Sequence, residues 1–433
     1  MVHRGLRSRR YVRNITDDLP IDSPDLGLRR TALPLAVLRV AGQGGEFLAV
    51  VLLARNLGPG AFGVLSVGFL VARYGGLVAD WGASIRGSRD VAARAGTGAL
   101  RGYVRWRALV GVGLAVLFGA VAAAVEPATA VLAVCVLARG LNRDWWSLGH
   151  GRGARAGVPA VVQGGGLLVA VVALAPDEVA PAATIIAVAF GAAALVSVAL
   201  NRLPAGGSAA GSDGTKPAAT GWVPDRSLVD PWILIVSLAD QVLATADTLL
   251  LALLGSTAEA GVYAAVYRLP NAWLTVLGLV VAGLVPGVTG AVAADPAAAR
   301  RLRRRILRVG AVAGLSVLAV VPVAVWAVPL LFGEAYRSGQ VPAALLLLGI
   351  GVATVTAGLL PLVLALGRDK PFAGGLCAVA ALNVAANLLL IPRFGPTGAA
   401  SVTLGSQVLV AGLYLVLSDP RPRAHDGASA PRS

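Results

Sequence analysis

Twelve apolar runs, each about long enough to cross a lipid bilayer, follow one another along the chain. They lie at about residues 32–54, 61–83, 106–125, 129–148, 157–175, 180–200, 230–254, 260–290, 309–331, 341–366, 371–391 and 396–417. An α-helix rises about 1.5 Å per residue, so roughly 20 apolar residues cross the hydrocarbon core. Because a backbone in lipid finds no water partners, it must satisfy its own hydrogen bonds. The sequence therefore predicts an all-α polytopic membrane protein with about 12 transmembrane helices.

The positive net charge suggests nucleic-acid binding, but the distribution of the basic residues along the chain argues against it. The chain carries a formal net charge of +15, although only 14% of its residues are charged and 57% are hydrophobic. A basic balance is the usual footprint of phosphate-backbone binding. Here the basic residues lie in short segments between apolar runs, where the positive-inside rule accounts for them. We therefore expect no nucleic-acid partner.

The alternation of Lys and Arg between the loops tests the predicted number of helices. Nearly all of them fall in every second segment, whereas the predicted outer loops hold only Arg55, Arg337 and Arg393. An error of one helix would scramble this alternation. We therefore expect a multi-pass membrane protein with both termini in the cytoplasm.

A stretch rich in Gly, Ala, Ser and Pro divides the runs into two sets of six. The predicted organisation is a cytoplasmic N-terminal tail (1–31), an N-terminal six-helix bundle (32–200), a flexible cytoplasmic linker (201–228), a C-terminal six-helix bundle (229–417) and a cytoplasmic C-terminal tail (418–433). The first tail carries seven arginines and is too long and too polar for a cleaved signal peptide. Because six is even, both bundles are expected to begin on the same side of the membrane.

Charged and amide side chains recur within the apolar runs, where burial in hydrocarbon is unfavourable. Arg39, Gln43 and Glu46 share one face of the first predicted helix, and Arg268 and Asn271 share one face of the eighth. Further members of this group are Arg73, Asp80, Arg139, Arg143, Asp240, Asp247, Asn383 and Asn387. Two interpretations stay open, a polar cavity between the bundles or inter-helix bonds that fix packing. For the residues near helix ends, a third interpretation is open, in which the side chain extends to the membrane interface.

In the cavity interpretation, each residue type suggests a role. Arginine and amide side chains can bind an anionic head group, which gives five candidate substrate-binding residues. They are Arg39, Gln43, Arg73, Arg268 and Asn271. Buried carboxylates can take up and release a cation, so Glu46 and Asp247 are the candidate ion-coupling residues.

Signs of catalysis or metal binding are missing from the sequence. Cys135 and Cys377 lie far apart within apolar runs, and the three histidines are isolated, so we expect no metal and no cofactor. Residues 164–166 are three glycines, but no Lys-Ser/Thr of a phosphate loop follows, so they indicate close helix packing. The sequence also has no large loop that could hold an active site. We therefore expect that the protein is not an enzyme.

One basic segment stands out for its density of arginine. Asp295 and Pro296 have the form of a helix start, and six arginines follow between residues 300 and 308. The sequence predicts that this helix lies on the anionic inner leaflet, and a specific ligand site at this segment is the alternative.

Eight short stretches carry characteristic motifs: residues 53–63 (LARNLGPGAFG), 79–82 (ADWG), 89–92 (RDVA), 246–251 (ADTLLL), 261–263 (GVY), 331–336 (LFGEAY), 383–387 (NVAAN) and 391–400 (IPRFGPTGAA). Together they resemble a known family, the bacterial polysaccharide-export or O-antigen-type flippases of the multidrug/oligosaccharidyl-lipid/polysaccharide exporter superfamily. The resemblance runs from about residue 35 to 417 and keeps the expected order. Its motifs are mostly turn residues, which specify the scaffold more than the substrate.

The resemblance implies two six-helix bundles around a central cavity in a bacterial plasma membrane. It implies that a polyprenyl-pyrophosphate-linked oligosaccharide moves from the inner to the outer leaflet for surface polysaccharide biosynthesis. Its expected partners are this lipid-linked oligosaccharide, membrane lipids and glycan-assembly enzymes. Two rivals share the scaffold: a cation-coupled exporter of small amphipathic compounds and a non-enzymatic scaffold of a glycan-assembly complex.

Overall fold

The computed structural model describes residues 32–80, 82, 84, 87, 88, 91, 97–202, 231–294 and 296–420. The predicted N-terminal tail lies outside the described residues, as does the predicted linker except for two residues and the predicted C-terminal tail except for three.

All secondary structure in the described part of the chain is helical. The first half contains α1 (Leu33–Asp80), α2 (Thr97–Val125), a 3₁₀ helix (Pro127–Leu132), α3 (Ala133–Leu141), α4 (Asp144–Gly149), α5 (Gly153–Leu174) and α6 (Val179–Leu200). The second half contains α7 (Pro231–Leu254), α8 (Thr257–Val266), α9 (Arg268–Ala294), α10 (Pro296–Phe332), a 3₁₀ helix (Glu334–Gly339), α11 (Gln340–Ala357), α12 (Leu360–Ala365) and α13 (Asp369–Leu417).

The two longest helices, α1 and α13, are each a pair of membrane spans joined at a glycine. They contain 48 and 49 residues, and the backbone leaves the helical region only at Gly58 (φ 70°) and Gly395 (φ 53°). Glycine adopts positive φ without strain, and the proline that follows each glycine lacks the N–H that a continuing helix would need. The chain can therefore reverse at both places.

The structure confirms the prediction of a polytopic α-helical protein. Eight helices of the described chain are long and apolar enough to span a membrane, and α1 and α13 are among them. The predicted run at 129–148 is assembled from a 3₁₀ helix, α3 and α4, and the run at 260–290 from α8 and α9. In the second case the helix begins three residues earlier than predicted, because Ser256 and Glu259 form a reciprocal capping box.

Close packing of small residues joins the first arm of α1 to α5. A Cβ atom added at Gly164 would lie 1.8 Å from the carbonyl oxygen of Gly42, so the backbones touch there. The prediction that residues 164–166 serve close helix packing is therefore confirmed for Gly164. Cβ atoms added at Gly165 and Gly166 would meet nothing within 4 Å, although the backbone nitrogen of Gly165 would lie 3.1 Å from a Cβ added at Gly45.

A buried ion pair ties together the helix ends of the N-terminal bundle. Arg107 on α2 lies 2.7 Å from the Asp80 carboxylate on α1, and both side chains are almost fully buried. Arg107 also donates hydrogen bonds to the carbonyl oxygens of Asn142 (2.7 Å) and Arg139 (2.9 Å). Asp80 therefore does not reach the interface, an alternative left open by the sequence. We call the side of the membrane where these helix ends meet the terminal side, and the side that carries Gly58 and Gly395 the turn side.

On the turn side the two bundles pack directly against each other. A Cβ atom on Gly63 of α1 would lie 1.8 Å from the carbonyl oxygen of Thr257, and one on Gly261 of α8 would lie 1.9 Å from that of Pro59. The Tyr336 hydroxyl donates to the carbonyl oxygen of Ala54 (2.8 Å) from the other bundle. The bundles are therefore closed against each other on the turn side.

Candidate functional site

A polar cavity of about 420 Å³ lies between the two bundles. Its walls are lined by Gln43, Glu46, Phe69, Ala72, Arg73, Gly76, Leu77, Cys135, Ala138, Arg139, Asn142, Gln163, Phe190, Ala194, Gln241, Asn271 and Thr275. Arg139 and Asn142 belong to the terminal-side end of α3, so the lining continues toward the terminal side. The Gly63–Gly261 contact closes the turn side, so the cavity extends away from that side.

On the N-terminal wall, α1 and α5 bring a carboxylate and two amides together. The Gln163 side chain donates a hydrogen bond to the Glu46 carboxylate (3.1 Å), and Gln43 lies one helical turn away on α1. The Gly164–Gly42 contact sets this distance, because it fixes α5 against the first arm of α1. The carboxylate of Glu46 is therefore oriented by a neighbour while it remains at the cavity surface.

On the opposite wall, Asn271 of α9 faces the second arm of α1. Arg73 and Asn271 line the cavity and also a smaller cleft of about 70 Å³ beside it. Arg268, the first residue of α9, lines that cleft and interacts electrostatically with Glu46 and Arg73. The cavity and its cleft thus present guanidinium groups from both bundles to one space.

A hydroxyl contact joins the bundles at the edge of this cleft. The Tyr74 hydroxyl is 3.0 Å from the Thr245 hydroxyl and donates a longer bond to the Gln241 carbonyl oxygen (3.3 Å). Tyr74 follows Arg73 on α1, and Gln241 and Thr245 lie on α7. A rocking motion that separates α1 from α7 would have to break this contact.

Two predicted site residues lie elsewhere. Arg39 is exposed and is not among the cavity-lining residues; its electrostatic partners are Asp144 and Arg139 near the terminal side. Asp247 is 1% exposed and belongs to a buried cluster. Its carboxylate accepts hydrogen bonds from the Tyr263 hydroxyl, the Thr403 hydroxyl (2.8 Å) and the Thr248 backbone N–H (3.1 Å).

The structure adds lining residues that the sequence analysis did not select as site residues. Gln163, Gln241 and Asn142 each contribute an amide to the cavity. Gln163 and Gln241 were detectable as polar side chains within apolar runs, but neither forms a same-face pair with a charged residue as Gln43 does with Glu46. Asn142 lies in the break between α3 and α4, which the sequence predicted as one continuous run.

Solved structures share this arrangement of helices. The chain superposes on the lipid II flippase MurJ in an inward closed conformation with a TM-score of 0.63, 10% sequence identity and coverage of 89% of this chain and 87% of that one. The chain therefore shares the fold of that flippase. An inward-facing multidrug resistance MATE family transporter of the MOP superfamily gives a TM-score of 0.55 at 13% identity, covering 88% and 97% of the two chains.

A MATE crystallised in complex with MaL6 is also similar, with a TM-score of 0.57, 12% identity and coverage of 89% of this chain and 94% of that one. No protein-family model and no curated protein sequence matches the chain. The shared property is thus the arrangement of the backbone, at low sequence identity. It supports the fold of a multi-span membrane protein.

Proposed function

We propose that this protein flips a polyprenyl-pyrophosphate-linked oligosaccharide from the inner to the outer leaflet of a bacterial plasma membrane by alternating access. In this proposal the terminal side is cytoplasmic. A pyrophosphate and a sugar chain carry many polar groups, each unfavourable by several kcal/mol when buried unpaired, so spontaneous flipping is slow. A polar cavity between two bundles offers replacement hydrogen bonds while the lipid tail stays in the bilayer.

The charge of the cavity wall is the observation that carries this proposal. Arg73 and Arg139 face the cavity, whereas its only lining carboxylate, among the described residues, is Glu46, which already accepts a bond from Gln163. Guanidinium groups bind phosphate oxygens through paired, charge-assisted hydrogen bonds. We propose that Arg73, Arg268, Gln43 and Asn271 contact the head group.

The remaining candidate residues take other roles in this proposal. Arg39, near the terminal side, attracts the anionic head group at the entrance. Glu46 and Asp247 are the proposed coupling carboxylates, Glu46 at the cavity surface and Asp247 where α7, α8 and α13 meet. A cation that reached Asp247 would compete with the hydroxyl donors for its oxygens, which would couple its occupancy to the packing of these helices.

The rival function is cation-coupled export of small amphipathic or cationic compounds, which the MATE-like fold would accommodate. A cationic cargo calls for carboxylates in the cavity wall, because opposite charges attract and arginines would repel it. The excess of arginine over carboxylate in this lining favours an anionic cargo instead.

Proteoliposomes provide the test of function. Purified protein is reconstituted with a fluorescent polyprenyl-pyrophosphate-linked oligosaccharide, and a membrane-impermeant reagent destroys the label in the outer leaflet. We expect the protected inner-leaflet fraction to become accessible only when the protein is present. Unchanged protection, together with uptake of a small cationic dye by the same vesicles, would favour the rival function.

A single substitution tests the role of the arginines. In Arg73→Gln, we expect the rate of flipping to fall by about 10-fold or more, because a hydrogen bond to a charged group contributes roughly 1.5–3 kcal/mol. Arg155→Gln is the matched control, since Arg155 is exposed and lies outside the cavity lining. Equal rates in both variants at equal expression would assign Arg73 to packing.

A further inference from the structure

An unpartnered row of arginines marks the part of α10 that extends beyond the membrane. We call it the basic stripe. Its members are Arg300, Arg301, Arg304, Arg305 and Arg308, all of them exposed. At about 100° per residue they fall within an arc of about 140° on one face of the helix. None of them forms an ion pair or hydrogen bond with another residue that the structure describes.

The opposite face of the same segment is fixed to the protein. Ile306 is buried in an apolar cluster with Leu359 and Leu362. Arg303, which is not part of the stripe, donates to the Ser418 hydroxyl and to the Leu415 carbonyl oxygen, both at 3.0 Å. The segment therefore cannot rotate to bury the stripe.

Further along α10, the stripe continues into a surface that faces lipid. The exposed apolar side chains are Val309, Val312, Leu315, Val320, Val323, Trp326 and Leu330, each at least 56% exposed. Around the axis of α10, the angular range of these apolar side chains covers more than half of the angular range of the basic stripe. Residues 309–332 span about 36 Å as a helix, which exceeds the roughly 30 Å hydrocarbon core. The basic stripe thus begins at head-group level and extends about 12 Å beyond it.

The stripe is unfavourable for the helix itself. Arginines spaced by four residues repel each other, as in the pairs 300 and 304, 301 and 305, and 304 and 308. An arrangement that opposes local electrostatics, without a partner in the part of the chain that the structure describes, indicates an external anion.

We propose that the basic stripe binds anionic phospholipid head groups of the terminal-side leaflet. Membrane lipid is the expected ligand, because the stripe adjoins the lipid-facing surface of α10 on its terminal side. Both point away from the protein on overlapping faces of the same helix. Anionic lipids supply phosphate oxygens at this height. The site holds α10, a helix of the C-terminal bundle, at a fixed level in that leaflet, and it does not depend on the proposed cargo.

Lipid retention by the purified full chain tests the proposal. The protein in detergent is titrated with phosphatidylglycerol or phosphatidylcholine, and bound lipid is counted by native mass spectrometry. We expect wild type to bind phosphatidylglycerol preferentially. In Arg304→Gln/Arg308→Gln we expect that affinity to fall on the order of 25-fold, about fivefold for each arginine. Affinity for phosphatidylcholine should stay unchanged.

Two further variants separate this site from general charge and from misfolding. Arg152→Gln/Arg155→Gln removes two exposed arginines from the other bundle, and its affinity should change less than about twofold. Arg304→Lys/Arg308→Lys keeps the charge and should retain binding. The proposal is overturned if wild type shows no preference for phosphatidylglycerol, if the Lys variant loses binding as the Gln variant does, or if both Gln variants behave alike. Equal binding by wild type and Arg304→Gln/Arg308→Gln would also overturn it and would redirect attention to an acidic protein partner.

Discussion

Arg107→Met is expected to lower the apparent free energy of unfolding by about 3–5 kcal/mol, because it leaves the Asp80 carboxylate buried without its cation. The substitution also removes the donors to the carbonyl oxygens of Asn142 and Arg139, which hold the end of α3 against α2. Thermal unfolding of the purified protein in detergent measures the loss. The variant Arg107→Met/Asp80→Leu removes both charges and should recover most of the stability, since an apolar pair of similar volume often replaces a buried ion pair without loss.

A matched ion pair on the surface provides the control. Arg337 and Glu334 are also 2.7 Å apart, but their side chains are 66% and 72% exposed. Water and salt screen such a pair, so Arg337→Met should change stability by no more than about 1 kcal/mol. Similar losses in Arg107→Met and Arg337→Met, or no recovery in the double variant, would show that the buried pair contributes no more than an exposed one.

Gly63→Ala is expected to force the two bundles apart on the turn side. The added Cβ would lie 1.8 Å from the carbonyl oxygen of Thr257, and backbone atoms cannot rotate out of the way as a flexible side chain can. Overpacking of this kind costs about 1–3 kcal/mol, occasionally more. Because the contact joins α1 to α8, the strain should disfavour the turn-side-closed arrangement more than it disfavours the fold.

Spin labels at Asn56 and Arg337 measure this opening, since both side chains are exposed on the turn side and belong to different bundles. Cys135 and Cys377 are first replaced by alanine. In Gly63→Ala the distance distribution should move to longer values. Gly60→Ala is the control, because its Cβ would meet nothing within 4 Å. Distributions that are identical in wild type and Gly63→Ala would contradict a role of this contact in turn-side closure.

The sequence predicted part of the cavity wall, because helix periodicity shows which side chains share a face. Gln43 and Glu46 were grouped in this way, and both line the cavity. Periodicity does not reveal what a face packs against. The partner of Glu46, Gln163, lies 117 residues further along the chain, and only the packing of α5 on α1 brings them together.

The buried ion pair shows the same limit. The sequence analysis listed Asp80 among the charged side chains within apolar runs, and Arg107 lies at the start of the predicted run 106–125, next to a segment where the positive-inside rule expects arginine. Burial of Arg107 to 1% exposure follows from the packing of α2 against the end of α3, where the carbonyl oxygens of Arg139 and Asn142 accept its hydrogen bonds. A count of charges per loop cannot distinguish such a residue from a solvated one.

The sequence by itself determined the solvent, the helical class and the division into membrane spans, because lipid permits few backbone arrangements and apolar length is countable. Only the tertiary structure decided where each intramembrane charge lies. Glu46 and Asp247 have similar local patterns, a carboxylate among apolar residues, yet one lies at the cavity surface and the other is enclosed by Tyr263 and Thr403. The difference arises because a helix presents all its faces, and the neighbours that cover each face come from distant parts of the chain.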